Sequence, residues 1–131
     1  MYVIAVRTYK IQADLLKTIS HPTRLAVLDI LRDGEQCVCH MEAMLGLRQA
    51  SISQQLMILR EAGLVEFRRD GLNIFYRVVK PEIFLVLDAA NSASGKRRQR
   101  VAHKHGTPSC PCPKCNSTKD LALDQQVARG S

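Results

Sequence analysis

Five cysteines carry most of the chemistry that the sequence offers, and they fall into two groups. Cys37 and Cys39 flank a single valine, whereas Cys110, Cys112 and Cys115 form a C-x-C-x2-C segment interrupted by prolines. Thiolates are good ligands for soft ions such as Cd(II), Pb(II), Hg(II) and As(III). Free cysteine is also often a small buried hydrophobe, and for Cys37 and Cys39 both interpretations are open at this point.

The spacing of Cys37 and Cys39 restricts where the pair can act together. Residues two apart on a regular α-helix point about 200° apart, so these thiols can converge only at the irregular start of a helix. That position also favours the thiolate form, because the positive end of the helix dipole lies close by. His40 adjoins the pair and is a further candidate ligand.

Three hypotheses are open for the cysteines of the C-terminal segment. In the first, one of these thiols joins Cys37 and Cys39, from the same or from the other subunit. In the second, the segment binds its own ion, with His103 and His105 as further ligands and Zn(II) as a candidate. In the third, the segment is disordered and its cysteines are incidental.

Basic charge is concentrated at the C-terminal end of the chain. The formal net charge of +7 suggests a polyanionic partner. Residues 1–94 hold 11 Lys and Arg against 10 Asp and Glu, a net of +1, while residues 95–131 hold 8 against 2, a net of +6. We predict a folded domain over 1–94 and a basic, flexible tail over 95–131, and the charge alone does not identify the domain as DNA-binding.

Composition argues against several other classes of protein. The chain has 131 residues, which fits one domain and a tail, and its 5% aromatic content disfavours a stacking platform for single-stranded nucleic acid. The segment 1–10 lacks the features of a signal peptide, and no apolar run reaches the length of a membrane span. We therefore expect a cytoplasmic protein with no membrane partner, whose cysteines serve metal or redox chemistry rather than disulfides.

Apolar periodicity predicts the elements that must position the cysteines. Helices are predicted over 10–19, from Pro22 to a stop at Gly34, over 38–45 and over 49–62. The period then changes to two on either side of Asp70-Gly71, which predicts a β-hairpin with either a tight turn or a four-residue loop. A last helix begins at Pro81. The order α-α-α-α-β-β-α is mainly α with one hairpin, and it is typical of a winged helix-turn-helix.

The fourth predicted helix has a polar face that suits DNA. Its polar residues lie in the first half of the helix, where helix-turn-helix proteins contact bases, and Gln and Ser can pair with major-groove edges. An ordinary solvated helix face has a similar composition. The candidates for base contacts are Gln49, Ala50, Ser51, Ser53, Gln54 and Gln55. The candidates for phosphate contacts are the hairpin residues Arg68, Arg69 and Arg77.

Four segments in a fixed order carry a family resemblance. Residues 17–25 read KTISHPTRL, residues 34–39 read GEQCVC, residues 49–65 read QASISQQLMILREAGLV, and residues 68–77 hold RRDG followed by FYR. They resemble the ArsR/SmtB family of metal-sensing bacterial repressors, in which similar segments are ALADPTRL, the metal box GELCVC, the recognition helix QSTVSRHLKVLREAGLV and the wing. The resemblance extends over residues 16–79.

The resemblance implies a homodimer formed by the first and last helices, an inverted-repeat operator in double-stranded DNA, and release from DNA when an ion binds. As(III), which usually takes three sulfurs, and Cd(II) or Pb(II) are the implied effectors at Cys37 and Cys39. Gln54 and Met57 stand where the family often has Arg and Lys, which leaves the operator sequence open. Glu42 replaces a third cysteine of many arsenic sensors, and without histidine in the last helix we expect no zinc or nickel site there.

We therefore predict a metal- or metalloid-responsive transcriptional repressor, with residues 1–94 as its winged-helix DNA-binding and dimerisation domain. A repressor of the same fold that responds to thiol redox state or persulfide is an alternative, and a constitutive DNA-binding protein with a zinc-stabilised tail is another. An enzyme is not expected, because the C-x-x-C from Cys112 to Cys115 lies in a proline-rich segment without a βαβ unit, and no catalytic set of residues stands out.

Overall fold

The computed structural model describes residues 3–95 of the chain. Their helices are α1 (Lys10–Ile19), α2 (Pro22–Ile30), α3 (Val38–Leu45), α4 (Gln49–Glu61) and α5 (Glu82–Ala93), and their strands are β1 (Gln36–Cys37), β2 (Val65–Asp70) and β3 (Asn73–Val78). Short 3-10 helices precede α1 and follow α2. The predicted winged helix-turn-helix is confirmed, with α3 and α4 as its helices and the β2–β3 hairpin as its wing. The division at residue 94 stays a prediction.

Local sequence explains where the helices begin and end. Pro22 begins α2, where a missing N–H costs nothing, and Nδ1 of His21 caps that end by accepting the N–H of Thr23 at 3.2 Å. The helix is shorter than predicted, because its last turn tightens into a 3-10 helix before Gly34. At the end of α3, Gly46 adopts the left-handed φ of 64° and its N–H donates to the carbonyl of Glu42.

The sheet contains a strand that the sequence pattern did not predict. Gln36 and Cys37 form β1, which pairs antiparallel with β3 opposite Tyr76 and Phe75, so the strand order is β1-β3-β2. Two residues are too few to show an alternating pattern, and for this reason the predicted order lacked the strand. The third helix therefore begins directly at the end of a strand.

The wing ends in the shorter of the two predicted loops. Asp70 pairs with Asn73, which leaves Gly71 and Leu72 as a two-residue turn. Gly71 has a φ of 61°, and a positive φ at the first central position is what a type II′ turn requires. The predicted tight turn is therefore confirmed, and Leu72 lies fully exposed at its tip.

The core lies between α2, α4 and the sheet, with contributions from α1, α3 and α5. The buried stripe predicted for α4 is present, since Ile52, Leu56 and Leu59 are fully buried. They pack in one cluster with Val27, Leu28 and Ile30 of α2, Met41 of α3, and Leu64, Val65 and Ile83. No helix within residues 3–95 is long and apolar enough to cross a bilayer.

One arginine joins α5 to the rest of the domain. Arg32 contacts Asp29 at 3.0 Å and Asp88 of α5 at 2.9 Å, and its guanidinium carbon lies 5.2 Å from the ring centroid of Phe84. The hydrogen bond to Asp88 is the main reason that the pKa of Arg32 is raised. This half-buried network fixes α5 against the end of α2.

The turn between α3 and α4 depends on the backbone of Gly46. No atom lies within 4 Å of a Cβ built at this position, so a substitution there tests the left-handed conformation alone. We expect Gly46→Ala to lower the free energy of unfolding by about 1 kcal/mol, because a side chain disfavours this φ. Gly46→Asn is the matched variant and should cost less, since Asn tolerates this region. Equal stability of Gly46→Ala and the native protein in chemical denaturation would contradict this account.

Candidate DNA interface and thiol site

The outer face of α4 carries most of the residues predicted to contact bases. Gln49, Ala50, Ser51 and Gln54 are exposed, and Ser53 is half-buried. These positions lie in the first half of the helix, beside the turn that enters it. The face is therefore free to enter a groove, although whether these residues contact bases stays a prediction.

Two exposed residues near this face were absent from the predicted set. Arg48 is the N-cap residue of α4 and places a cation at the end of the helix that would face DNA. Met57 is 53% exposed, although Ile58, which a helical wheel puts on the outer side, is half-buried. A wheel drawn for a lone helix could not show this, because it leaves out α2 and α3, which pack on α4.

Gln55 differs from its neighbours because its side chain is already bonded within the protein. Its Oε1 accepts a hydrogen bond from Nε of Arg24 at 2.8 Å, and Nη1 of the same arginine donates to the carbonyl of Thr18 at 2.9 Å. One guanidinium thus ties the end of α1 and the body of α2 to α4. Arg24 is a positioning residue that no pattern in the sequence singles out.

The three predicted wing arginines are not equivalent. Arg68 forms a bidentate pair with Glu35, and Arg77 pairs with Glu66 on the opposing strand. The hydrogen bonds that Arg68 donates to Glu35 are the main reason that the pKa of Arg68 is raised. Arg69 is exposed and forms no ion pair within the part of the chain that the structure describes. A phosphate would therefore meet one available arginine and two that already hold carboxylates.

The two N-terminal cysteines lie at the irregular start of α3, where the spacing requires them to be if they converge. Cys37 is the N-cap residue, with an extended backbone, and its Sγ accepts the N–H of His40 at 3.3 Å. Cys39 is the second residue of the helix. Cys37 is only 2% exposed and packs against Phe75, and the half-buried Cys39 packs on the same pair.

A row of three side chains runs from the thiols across the sheet to the edge of the wing. Cys37 is opposite Phe75 on β3, and Phe75 is opposite Arg68 on β2. Residues opposite each other in a sheet point to the same face, and the guanidinium carbon of Arg68 lies 4.7 Å from the ring centroid of Phe75. The thiol site and the wing are therefore in direct contact. Phe75 was not among the predicted core residues, because the apolar alternation of the hairpin predicts that the opposite face of the sheet is buried.

The described residues provide an incomplete set of metal ligands. Within residues 3–95, no three His, Cys, Asp or Glu side chains lie close enough together to hold an ion. Soft thiolates at Cys37 and Cys39 fit two positions of a thiol-rich site. The predicted ligands Cys110, Cys112 and Cys115, together with the nearby histidines, lie outside the described residues.

Known proteins with similar sequences and folds are transcriptional regulators. The family described as bacterial regulatory protein, arsR family, matches residues 21–66. A biofilm growth-associated repressor of Agrobacterium fabrum is 46% identical over 77 residues, which cover 59% of this chain and 66% of that protein.

Two solved structures have the same fold. The transcriptional repressor BigR from Xylella fastidiosa superimposes with a TM-score of 0.61 and 35% identity, covering 72% of this chain and all of that one. The antimony-specific transcriptional repressor AntR gives a TM-score of 0.63 at 28% identity, covering 73% and 91% of the two chains.

The burial of the two thiols predicts their order of reaction. In a variant with Ser at positions 110, 112 and 115, we expect iodoacetamide to modify Cys39 at least about tenfold faster than Cys37, since labelling of Cys37 requires a local opening. Peptide mass mapping of a time course measures both rates, and the unfolded protein in guanidinium is the control. Equal rates in the native protein would show that Cys37 is not protected.

Proposed function

The chain belongs to the ArsR family of bacterial regulatory proteins. We propose that it represses transcription until a thiol-binding ion at Cys37 and Cys39 lowers its affinity for operator DNA. It is a DNA-binding transcriptional repressor of this family and not an enzyme. The ion and the thiol site are the proposed part. One observation carries them: Cys37 is opposite Phe75 of the wing, Cys39 packs against this pair, and both thiols lie at the start of the helix that leads into α4.

The proposed contacts with DNA follow from exposure and charge. The first half of α4 enters the major groove and presents Gln49, Ser51 and Gln54 to base edges. Arg48 and Arg69 lie beside it as phosphate contacts, which fix the position of the protein on the duplex without reading its sequence. The proposed partner is double-stranded operator DNA with an inverted repeat.

The chemistry of the donors supports a soft ion as the effector. Two thiolates suit As(III), Cd(II) or Pb(II) far better than a hard cation, and an ion of this kind would supply bonds that draw the sulfurs together. A third sulfur would come from the tail, of the same or of the other subunit. The antimony-specific repressor AntR is a relative by fold, and antimony resembles arsenic in its preference for sulfur.

Release from DNA requires that the ligand favour one conformation over another. Bringing Cys37 and Cys39 together must shift the start of α3, and α3 packs on α4 at one end while β1 pairs with the wing at the other. A ligand changes DNA affinity only through its different affinity for the two arrangements. Coupling between sites of this kind is typically about 1–3 kcal/mol, or roughly 5- to 150-fold in affinity.

The proposed dimer uses exposed apolar surface on the first and last helices. A groove of about 670 Å³ lies between α1 and α5, lined mainly by apolar residues that include Ile11, Leu15, Ile83 and Val86. Ile11 of this groove is 82% exposed, and Leu85, on the same helix as Ile83 and Val86, is 71% exposed. A second copy of the chain would cover this surface and place two recognition helices against one inverted repeat.

Binding of promoter DNA tests the proposed ligand. We expect the fluorescence anisotropy of a labelled promoter duplex to fall when As(III) or Cd(II) is added to the complex under anaerobic, reducing conditions, with a loss of affinity of roughly 5- to 150-fold. Zn(II) should have a smaller effect. Salt must be held constant, because phosphate contacts make the affinity salt-dependent.

Two serine variants identify the thiols involved. Cys37→Ser/Cys39→Ser should bind DNA as the native protein does, since serine is also a good N-cap residue, and should not be released by either ion. The Cys110→Ser/Cys112→Ser/Cys115→Ser variant loses the response only if a tail thiol completes the site. Normal release of the Cys37/Cys39 variant would place the site elsewhere. Release by polysulfide or peroxide alone, reversed by dithiothreitol, would replace the metal with the redox alternative.

A charge on α5 tests the proposed dimer interface. We expect Leu85→Glu to raise the dimer dissociation constant at least about tenfold, because it places a carboxylate in an apolar interface. Leu72→Glu at the tip of the wing is the matched control, since it makes the same change at a fully exposed leucine. Sedimentation equilibrium measures both variants. The interface is wrong if they dimerise equally well.

A further inference from the structure

Arg68 of the wing is held by a carboxylate of its own chain. Its Nε lies 2.9 Å from each carboxylate oxygen of Glu35, and its Nη2 donates to Oε1 at 2.6 Å. This forked geometry is the one with which arginine also binds phosphate. The Glu35 side chain is 24% exposed and that of Arg68 54%, so the carboxylate is the more enclosed partner.

We propose that the Glu35 carboxylate binds Arg68 where a DNA phosphate would bind. Arg68 then contacts DNA only when duplex DNA displaces this carboxylate. The inference rests on the DNA-binding part of the proposed function. The exchange is favourable on a polyanion, because an exposed ion pair is weak in water while a phosphate contact releases bound counterions. Glu35 thereby sets how strongly the wing engages DNA.

The position of Glu35 in the chain connects this competition to the thiols. Glu35 is the residue before β1, and Cys37 of that strand pairs with Phe75, whose ring contacts Arg68. A shift of residues 35–39 moves the carboxylate relative to β2. A ligand at Cys37 and Cys39 therefore changes the competition for Arg68 as well as the orientation of α4.

The second ion pair of the wing provides a matched comparison. Glu66 and Arg77 are opposite each other on β2 and β3, so both ends of this pair move with the wing. Both pairs border a polar pocket of about 370 Å³. Removing Glu66 deletes the same charge from the same surface but leaves the link to β1 in place.

The test is a double-mutant cycle on DNA binding. Glu35→Gln, Arg68→Gln and the double variant are titrated over a series of salt concentrations on the promoter duplex and on a scrambled duplex of the same length. We expect Glu35→Gln to bind both duplexes about three- to tenfold more tightly at low salt, because no carboxylate has to be displaced from Arg68, with a salt slope like that of the native protein, since the same phosphates are contacted. In the Arg68→Gln background the same change should leave the affinity nearly unaltered.

A gain of equal size in both backgrounds would overturn the inference, since it would reflect loss of negative charge alone. So would unchanged affinity of Glu35→Gln on both duplexes. If this variant unfolds early in a thermal melt, Arg68→Gln is compared with Arg69→Gln. The loss of affinity should be smaller for Arg68, because it starts from a bound carboxylate, and an equal or larger loss would contradict the proposal.

Adding As(III) to the complexes of these variants with DNA distinguishes failure of this inference from failure of the proposed function. Release by As(III) should be weaker for Glu35→Gln than for Glu66→Gln, and equal release would remove the link to the thiols. The scrambled duplex reports phosphate contacts without operator recognition, so the competition can be established or refuted even if the native protein ignores every ion. Native protein that binds neither duplex would defeat both proposals.

Discussion

The pairing of Cys37 with Phe75 is the contact on which the DNA-binding half of the molecule depends. It attaches the wing to the segment that begins α3, and α3 leads through a three-residue connection to α4. A two-stranded hairpin alone is marginally stable in water, so the third strand, although only two residues long, adds support where it is needed. The two elements that would contact DNA therefore share one anchor, and a thiol is part of it.

Electrostatics in the described domain are balanced rather than strongly basic. Acidic side chains form ion pairs with two of the three wing arginines, and residues 1–94 carry a net charge of only +1. A protein arranged in this way gains less from the non-specific attraction that binds cationic proteins to any DNA. In the proposed complex, more of the discrimination between DNA sequences would then rest on α4 and on the shape of the DNA site. The basic excess lies in residues 95–131.

The sequence was most informative where a pattern repeats. Helix α4 was predictable because its buried stripe recurs every three or four residues, and α3 was predictable because apolar periodicity indicates a helix over 38–45. No such signal exists for the bond between Arg24 and Gln55 or for that between Arg68 and Glu35. Their partners are 31 and 33 residues apart, and the pairing depends on how the elements pack. The short strand β1 was hidden because two residues are too few to show an alternating pattern.

The bond from Arg24 to Gln55 has a geometric consequence for the operator. Because the same guanidinium holds the carbonyl at the end of α1, the angle of α4 is set relative to a helix of the proposed dimer interface. Two such links in a dimer would fix the separation and the rotational phase of the two recognition helices. Half-sites must then recur on one side of the double helix, at a multiple of about 10 base pairs. The spacing of the inverted repeat would thus be encoded in the interior of the protein rather than on its DNA-facing surface.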